Sequence, residues 1–210
     1  MTLKAVIFDV DGVLLDSFEA NLKFFQDLLK KANCKQPTRE EYSKMMHMSM
    51  MSVIKYFSKS KSDEEIQRIF DMGRFREVKY PIHLLKMPKD AKKTIHELNK
   101  QYILGIVSSR VKQSIFETPA MMKLKDYFKV VVTYEDTINH KPHPDPLFLA
   151  LKQLKIKPQD SVYIGDTEND LQAAKAAGMK IIIYSKDNFP HADACTSSFA
   201  DIIDIVSKMD

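Results

Sequence analysis

The sequence predicts an open α/β fold: a parallel sheet covered by helices, with an all-helical domain inserted near its N-terminus. Three observations support this prediction. Short runs of β-branched and other apolar residues recur along the chain, segments of helical length lie between them, and one early stretch shows no strand pattern. Strands that are apolar on both faces belong inside a parallel sheet, and their alternation with helices is typical of open α/β proteins.

Five apolar runs are predicted as strands and four segments as helices. The strands are 5–8, 103–107, 130–132, 162–164 and 181–183. The helices cover about 89–100, 144–154, 167–177 and 199–208. Short strands separated by longer helices fit a Rossmann-like parallel sheet core built from repeated strand–helix units.

The stretch 17–87 breaks this alternation and is predicted to be a helical cap domain, so that 1–16 and 88–210 form the α/β core. Apolar residues recur there at helical spacing: Phe18, Leu22, Phe25, Leu28 and Leu29, and then Ile66, Ile69, Phe70 and Phe75. The segment Pro37-Thr38-Arg39-Glu40 is typical of a helix start with proline in the first turn. A chain of 210 residues has enough material for a core domain with such an insertion.

A methionine cluster lies inside the insertion and comprises Met45, Met46, Met48, Met50 and Met51. Because thioether side chains fill irregular gaps well, we expect these residues to pack the core of the inserted domain. An adaptable apolar wall over a substrate cleft is the alternative interpretation.

Composition favours a cytoplasmic protein that binds neither nucleic acid nor membranes. Lys and Arg number 32 against 28 Asp and Glu, a formal net charge of +4 that is too small to indicate a nucleic-acid surface. No segment approaches the roughly 20 apolar residues of a membrane helix. Cys34 and Cys195 match no zinc spacing, which is typical of a reduced intracellular protein.

Polar residues follow four of the predicted strands. They are Asp9-Val10-Asp11-Gly12, Ser108-Ser109-Arg110, Lys141 a short loop after the third strand, and Gly165-Asp166-Thr167 with Asp170. Each has an ordinary interpretation, as a turn, a helix cap or an exposed lysine. These interpretations do not explain why all four sets belong to one edge of the sheet, where open α/β proteins bind their ligands.

Acids gathered at one edge predict a bound cation. Two carboxylates about 4 Å apart repel by roughly 4 kcal/mol at an effective dielectric constant of 20. Oxygen ligands without nearby Cys or His suit Mg²⁺, which commonly shares phosphate oxygens with a substrate. A lysine and a serine opposite the metal would bind the remaining phosphate oxygens, so the set predicts a phosphoryl-transfer site.

In their order along the chain, these motifs resemble those of the haloacid dehalogenase (HAD) superfamily, specifically its phosphatase branch with a helical cap after the first strand, the branch of phosphoglycolate phosphatase and β-phosphoglucomutase. The matching motifs are Asp9-Val10-Asp11-Gly12-Val13, Ser108, Lys141-Pro142, Gly165-Asp166 with Asp170, and Ala176-Ala177-Gly178. The resemblance covers essentially the whole chain and implies a HAD-like core.

The resemblance also implies roles for individual residues. Asp9 would be the nucleophile and a metal ligand, and Asp11 the general acid/base and a metal ligand through its backbone carbonyl. Ser108 would bind phosphate, and Lys141 would offset charge on Asp9 and the phosphoryl group. Asp166 would bind Mg²⁺ directly, with Asp170 behind it or linked through water.

Two places differ from the commonest pattern of the family. Ser108-Ser109-Arg110 stands where many relatives have Thr-Asn-Lys, so Ser109 and Arg110 would either contact substrate or serve as a helix cap and a solvated side chain. In the cap domain, His47, Arg74, Arg76 and Lys79 are expected to be exposed, with contact to substrate as the alternative.

The function expected from the resemblance is Mg²⁺-dependent hydrolysis of a small phosphate monoester, such as phosphoglycolate, a sugar phosphate or a nucleotide, through an aspartyl-phosphate. A sugar phosphomutase of the same family is the alternative, and a catalytically silent binding or regulatory protein a third possibility. The expected partner is a small phosphorylated metabolite, with the protein a monomer or homodimer.

Overall fold

The computed structural model describes residues 2–46 and 48–210, so the candidate cleft residue His47 lies outside the described residues. The chain divides into two units: Met1–Asp16 with Met87–Asp210, and Ser17–Lys86. The first unit contains the sheet and its flanking helices, and the second is built from helices.

The first unit contains a six-stranded sheet in which every pairing is parallel. Its strands are β1 (Ala5–Phe8), β2 (Ile103–Val107), β3 (Phe128–Val132), β4 (Ser161–Gly165), β5 (Lys180–Tyr184) and β6 (Ala194–Thr196). Their spatial order is β3-β2-β1-β4-β5-β6. The parallel core predicted from the apolar runs is therefore confirmed.

Strand register brings the ends of three strands level. Phe8, the last residue of β1, pairs with Ile106 on one side and Ile164 on the other. All four residues of β1 and all five of β4 are buried. Side chains that follow β1, β2 and β4 therefore emerge at one edge of the sheet, at the end of its most buried part.

Among the described residues, the sheet is accompanied by the α-helices α5 (Ala91–Leu98), α6 (Pro119–Met122), α7 (Asp145–Leu154), α8 (Glu168–Ala177) and α9 (Asp201–Met209), and by short 3-10 helices. Four of them correspond to the predicted helices. Strand β6 was not predicted, because Ala194, Cys195 and Thr196 form no apolar run and none of the three is buried. Within the part of the chain that the structure describes, it pairs with β5 alone and is an edge strand.

The second unit contains α1 (Phe18–Lys31), α2 (Arg39–Ser43), α3 (Met50–Phe57) and α4 (Asp63–Arg74). Capping boxes begin α2 and α4, where the Thr38 and Ser62 side chains accept hydrogen bonds from the backbone N–H of the glutamate three residues later. Pro37 therefore precedes the N-cap, and its predicted place in the first turn is wrong.

Two other predictions for this unit are corrected. Phe75, expected on the apolar face of a helix, is the C-cap of α4 and is 68% exposed. The methionine cluster is only partly in the core, since Met45 is buried whereas Met46 and Met48 are 40% and 51% exposed. Among the described residues, no helix has both the length and the hydrophobicity needed to cross a lipid bilayer.

Candidate active site

Three carboxylates meet at the carboxyl edge of the sheet. One oxygen each from Asp9, Asp166 and Asp170 lies within 4.8 Å of the others. Asp9 follows β1, Asp166 follows β4, and Asp170 lies in the first turn of α8. The convergence expected of Asp9 and Asp166 is therefore present, and Asp170 lies in the same group.

The turn after β1 is shaped to approach Asp166 closely. The backbone N–H of Asp9 donates to the Ile164 carbonyl at 2.8 Å, which keeps the turn beside β4. Gly12 has a φ of 76°, a conformation that residues with a side chain rarely adopt. A Cβ atom at Gly12 would lie 1.8 Å from Asp166 Oδ2, so only glycine fits this position.

The N-terminus of α8 orients Asp170. Thr167 Oγ1 accepts from the Asp170 N–H at 3.2 Å and donates to Asp170 Oδ2 at 2.7 Å. The same Oδ2 accepts from the backbone N–H groups of Asp166 and Thr167, at 3.2 and 3.1 Å. One oxygen of Asp170 is thus fixed by the helix cap, and the other is left for Lys141.

Lys141 lies at the centre of the site, with its side chain only 6% exposed. Its Nζ is 2.6 Å from Asp170 Oδ1, 3.0 Å from Asp9 Oδ2 and 2.8 Å from the Tyr163 hydroxyl. Sequence reasoning missed Tyr163, which lies within the predicted apolar run 162–164. Its hydroxyl between two apolar residues of that run, Val162 and Ile164, was the available signal.

The pKa of Asp170 is lowered, whereas the pKa values of Asp9 and Asp166 are raised. Burial raises the pKa of Asp170, but the charge of Lys141 and hydrogen bonds from Lys141 and Thr167 outweigh it and lower the pKa overall. Burial raises the pKa of Asp9 to about 7, against the opposing charge of Lys141. Burial, together with the charges of Asp170 and Asp9, raises the pKa of Asp166 to about 9. One lysine does not compensate three acids.

The residues present fit a Mg²⁺ ion. Asp166 Oδ1 is buried and, within the described part of the chain, has no hydrogen-bond partner. The neighbouring candidate ligands are carboxylate oxygens of Asp9 and Asp170, and an all-oxygen set suits Mg²⁺. A divalent cation would bind the unpaired oxygen of Asp166 and stabilise the charged forms of both Asp166 and its neighbour Asp9.

Asp11 lies outside this carboxylate group and pairs with Arg110. Arg110 Nε donates to Asp11 Oδ2 and Nη2 donates to Asp11 Oδ1, each at 2.9 Å. Arg110 Nη1 also donates to the Ser114 carbonyl at 3.2 Å. The guanidinium side chain is 7% exposed, so the interpretation of Arg110 as a solvated side chain is wrong.

The two serines after β2 differ in environment. Ser108 is buried, and its Oγ accepts from the Arg110 backbone N–H at 3.3 Å. Ser109 is exposed. The next element is a short 3-10 helix, Lys112–Ser114, whose N-cap is Val111. The interpretation of Ser109 as a helix cap is therefore wrong.

The remaining candidates lie in the helical unit. Arg74 and Arg76 are half-buried there, whereas Lys79 is exposed.

The sheet, its acidic carboxyl edge and its buried lysine define an open α/β enzyme of the phosphoryl-transfer type. The model of the haloacid dehalogenase-like hydrolases matches residues 6–184, so the chain belongs to that family. This confirms the resemblance drawn from the motifs.

Relatives extend this similarity over almost the whole chain. The pyrophosphatase PpaX of Bacillus cereus is 31% identical over 183 residues, which cover 86% of this chain and 82% of that enzyme. A HAD-superfamily hydrolase of subfamily IA from Geobacter sulfurreducens superposes with a TM-score of 0.71 at 28% identity, covering 97% of this chain and 96% of that chain. The β-phosphoglucomutase of Clostridium difficile shares the fold, with a TM-score of 0.82 at 20% identity over 99% of this chain and 97% of that chain.

Proposed function

We propose that this protein is a Mg²⁺-dependent phosphatase that hydrolyses a small phosphate ester through an aspartyl-phosphate on Asp9. The observation that carries the proposal is the position of Asp9, whose Oδ2 lies 3.0 Å from Lys141 Nζ within a cluster of three acids. Membership of the haloacid dehalogenase-like hydrolases and the similarity to a pyrophosphatase support the same chemistry.

Asp9 is the proposed nucleophile. Its Oδ1 accepts a hydrogen bond from the Val10 N–H at 2.7 Å, which holds the carboxylate in one orientation. A carboxylate oxygen attacks phosphorus, the bond to the leaving oxygen breaks, and water later cleaves the aspartyl-phosphate. Lys141 offsets negative charge on the carboxylate and the phosphoryl oxygens as the new bond forms.

Asp11 is the proposed general acid/base. It would give a proton to the leaving oxygen and take one from the water that attacks the intermediate. Each of its carboxylate oxygens accepts one hydrogen bond from Arg110 and keeps a second lone pair, which can carry the transferred proton while the ion pair holds the carboxyl group in place. The Ser108 hydroxyl, at the end of β2, is the proposed donor to a phosphoryl oxygen.

The metal would be held by the carboxylates of Asp9 and Asp166 and by the backbone carbonyl of Asp11. When bound, Mg²⁺ would offset the negative charge on the phosphoryl oxygens. Asp170 is proposed to stay with Lys141, because its two oxygens are already bound by the lysine and by the cap of α8.

Substrate choice is assigned to the helical unit Ser17–Lys86, which is inserted shortly after the proposed nucleophile. Because the relative of highest identity described above is a pyrophosphatase, pyrophosphate belongs among the candidate substrates, beside phosphoglycolate, sugar phosphates and nucleotides. A sugar phosphomutase would use the same core residues and differ in the acceptor of the phosphoryl group.

The decisive experiment is a phosphate-release assay of the purified protein against this panel and p-nitrophenyl phosphate, with Mg²⁺ or with EDTA. We expect Mg²⁺-dependent release that EDTA abolishes and that excess Mg²⁺ restores. Conversion of a sugar 1-phosphate to its 6-phosphate without free phosphate would favour the mutase. No turnover of any compound with Mg²⁺ would contradict both enzymatic functions.

A further inference from the structure

Tyr163 is the one residue of strand β4 that carries a phenolic hydroxyl, and it is completely buried. Its neighbours in the strand, Val162 and Ile164, are apolar and equally buried. A phenylalanine would fill nearly the same space without placing a polar atom in the core. A buried hydroxyl is unfavourable unless it is hydrogen-bonded, so its partners explain its presence.

The Tyr163 hydroxyl contacts three groups, each from a different segment. It accepts from Lys141 Nζ at 2.8 Å, and its oxygen lies 3.0 Å from the Val107 carbonyl and 3.2 Å from Asp170 Oδ1. The hydroxyl has one hydrogen to donate, and both of these acceptors are in range of it. Tyr163 thus links Lys141 to the last residue of β2, next to Ser108.

Lys141 needs such a link to be held in place. A lysine side chain is a flexible chain of four carbons that ends in an ammonium group with three hydrogens. Asp9, Asp170 and Tyr163 provide three acceptors, and Tyr163 is the uncharged one. If the two acids were its only partners, one ammonium hydrogen would lack an acceptor in a buried site. The position of Nζ relative to Asp9 would then be less well defined.

We infer that Tyr163 is a positioning residue for Lys141: its hydroxyl holds the ammonium group at the distance from Asp9 and from the Ser108 strand end that phosphoryl transfer requires. This inference rests on the proposed function for its kinetic consequence only. Positioning itself is a property of the folded chain and is measured without turnover.

The first test is spectroscopic and uses Tyr163→Phe, which removes the hydroxyl and keeps the ring. In protein labelled with ¹⁵N-lysine, the ammonium signal of buried Lys141 is assigned by its disappearance in Lys141→Arg. We expect Tyr163→Phe to shift this signal and to speed its hydrogen exchange with water. An unchanged signal in a folded Tyr163→Phe protein would overturn the inference, whatever the enzyme's activity.

The matched control is Tyr102→Phe. Tyr102 is also buried and lies just before Ile103, the first residue of β2, at the end of the strand far from Ser108. Its hydroxyl is 3.5 Å from Asp210 Oδ2. We expect this variant to leave the Lys141 signal and the turnover unchanged, which separates loss of a buried hydroxyl in general from loss of this one.

The second test is a double-mutant cycle on kcat. Tyr163→Phe should lower kcat about tenfold with KM changed less than about twofold, because a small displacement of a catalytic group slows chemistry more than binding. In the Lys141→Arg background the same substitution should change kcat less than about twofold, since coupled residues are non-additive. An equal loss in both backgrounds would overturn the inference. Absence of turnover in the wild type would instead contradict the proposed function, with the ammonium signal still deciding the role of Tyr163.

Discussion

The carboxylate of Asp11 and the guanidinium of Arg110 form a bidentate ion pair, with both nitrogen–oxygen distances 2.9 Å. Fork-shaped pairs of this kind are strong and directional. The pair engages the proposed general acid/base, which is not one of the three carboxylates that lie within 4.8 Å of one another, Asp9, Asp166 and Asp170. If Asp11 is the general acid/base, Arg110 would hold it in position, and the next prediction tests that role.

Arg110→Met is predicted to impair hydrolysis most for substrates with poor leaving groups. Without the fork, the Asp11 carboxylate loses its defined orientation, and acid catalysis contributes roughly 100-fold or more to such reactions. We expect kcat/KM to fall at least tenfold for an alkyl phosphate but less than about threefold for p-nitrophenyl phosphate, whose leaving group needs little protonation. Lys112→Met, at an exposed cation two residues away, is the control and should resemble wild type. Equal losses with both substrates would argue against a link between Arg110 and Asp11.

Asp9→Asn is predicted to abolish turnover while leaving the fold intact. The amide is a poor nucleophile, so kcat should fall at least about 1,000-fold, as when other covalent nucleophiles are removed. Burial already raises the pKa of Asp9 to about 7, so an uncharged group of the same shape should be tolerated. Steady-state kinetics and circular dichroism test the two parts. A folded variant with a near-wild-type rate would remove Asp9 from the nucleophile role.

Stabilisation by Mg²⁺ is predicted to grow with pH. The pKa values of Asp9 and Asp166 lie at about 7 and about 9, above the ordinary value of 3.8, so the metal-free folded state keeps protons that the unfolded chain has lost. Metal-free stability should therefore fall as pH rises from about 4 to about 9. Mg²⁺ replaces those protons, and its effect on Tm should be larger near pH 8.5 than near pH 5.5.

Differential scanning calorimetry with EDTA or excess MgCl₂ measures this dependence. Asp166→Asn is the control, because it removes one acid of the group and should reduce both the metal effect and its growth with pH. An equal Mg²⁺-induced shift in Tm at both pH values would contradict the assignment of these carboxylates to the metal.

Gly12→Ala is predicted to disrupt the site, whereas Gly178→Ala should only lower stability. Both glycines have positive φ, 76° and 73°, so both substitutions should cost about 1 kcal/mol of backbone strain. At Gly12 the new Cβ would meet Asp166 Oδ2 at 1.8 Å, but at Gly178 the nearest heavy atom is 3.7 Å away. We expect loss of activity and of Mg²⁺ stabilisation for Gly12→Ala alone. Equal activity in the two variants would show that the approach of Gly12 to Asp166 is not required.

The elements predicted well from sequence are those whose burial is nearly complete. β1 and β4 were predicted as strands because their apolar residues face both sides of the sheet. In the structure every residue of both strands is buried. β6 was missed because an edge strand of three residues has no such pattern. Phe75 was misplaced because helical spacing does not indicate that the helix ends one residue earlier.

By itself, the sequence determined which residues stand at the sheet edge. Parallel strands all end on one side, so acids, a serine and a lysine that follow apolar runs must be neighbours whatever the details of packing. Only the tertiary structure decided how these neighbours pair. Lys141 binds Asp170 and Tyr163, and Arg110 binds Asp11. Such choices depend on differences of an ångström between segments far apart in the chain, which are set by strand register and burial and leave no periodic trace in the sequence.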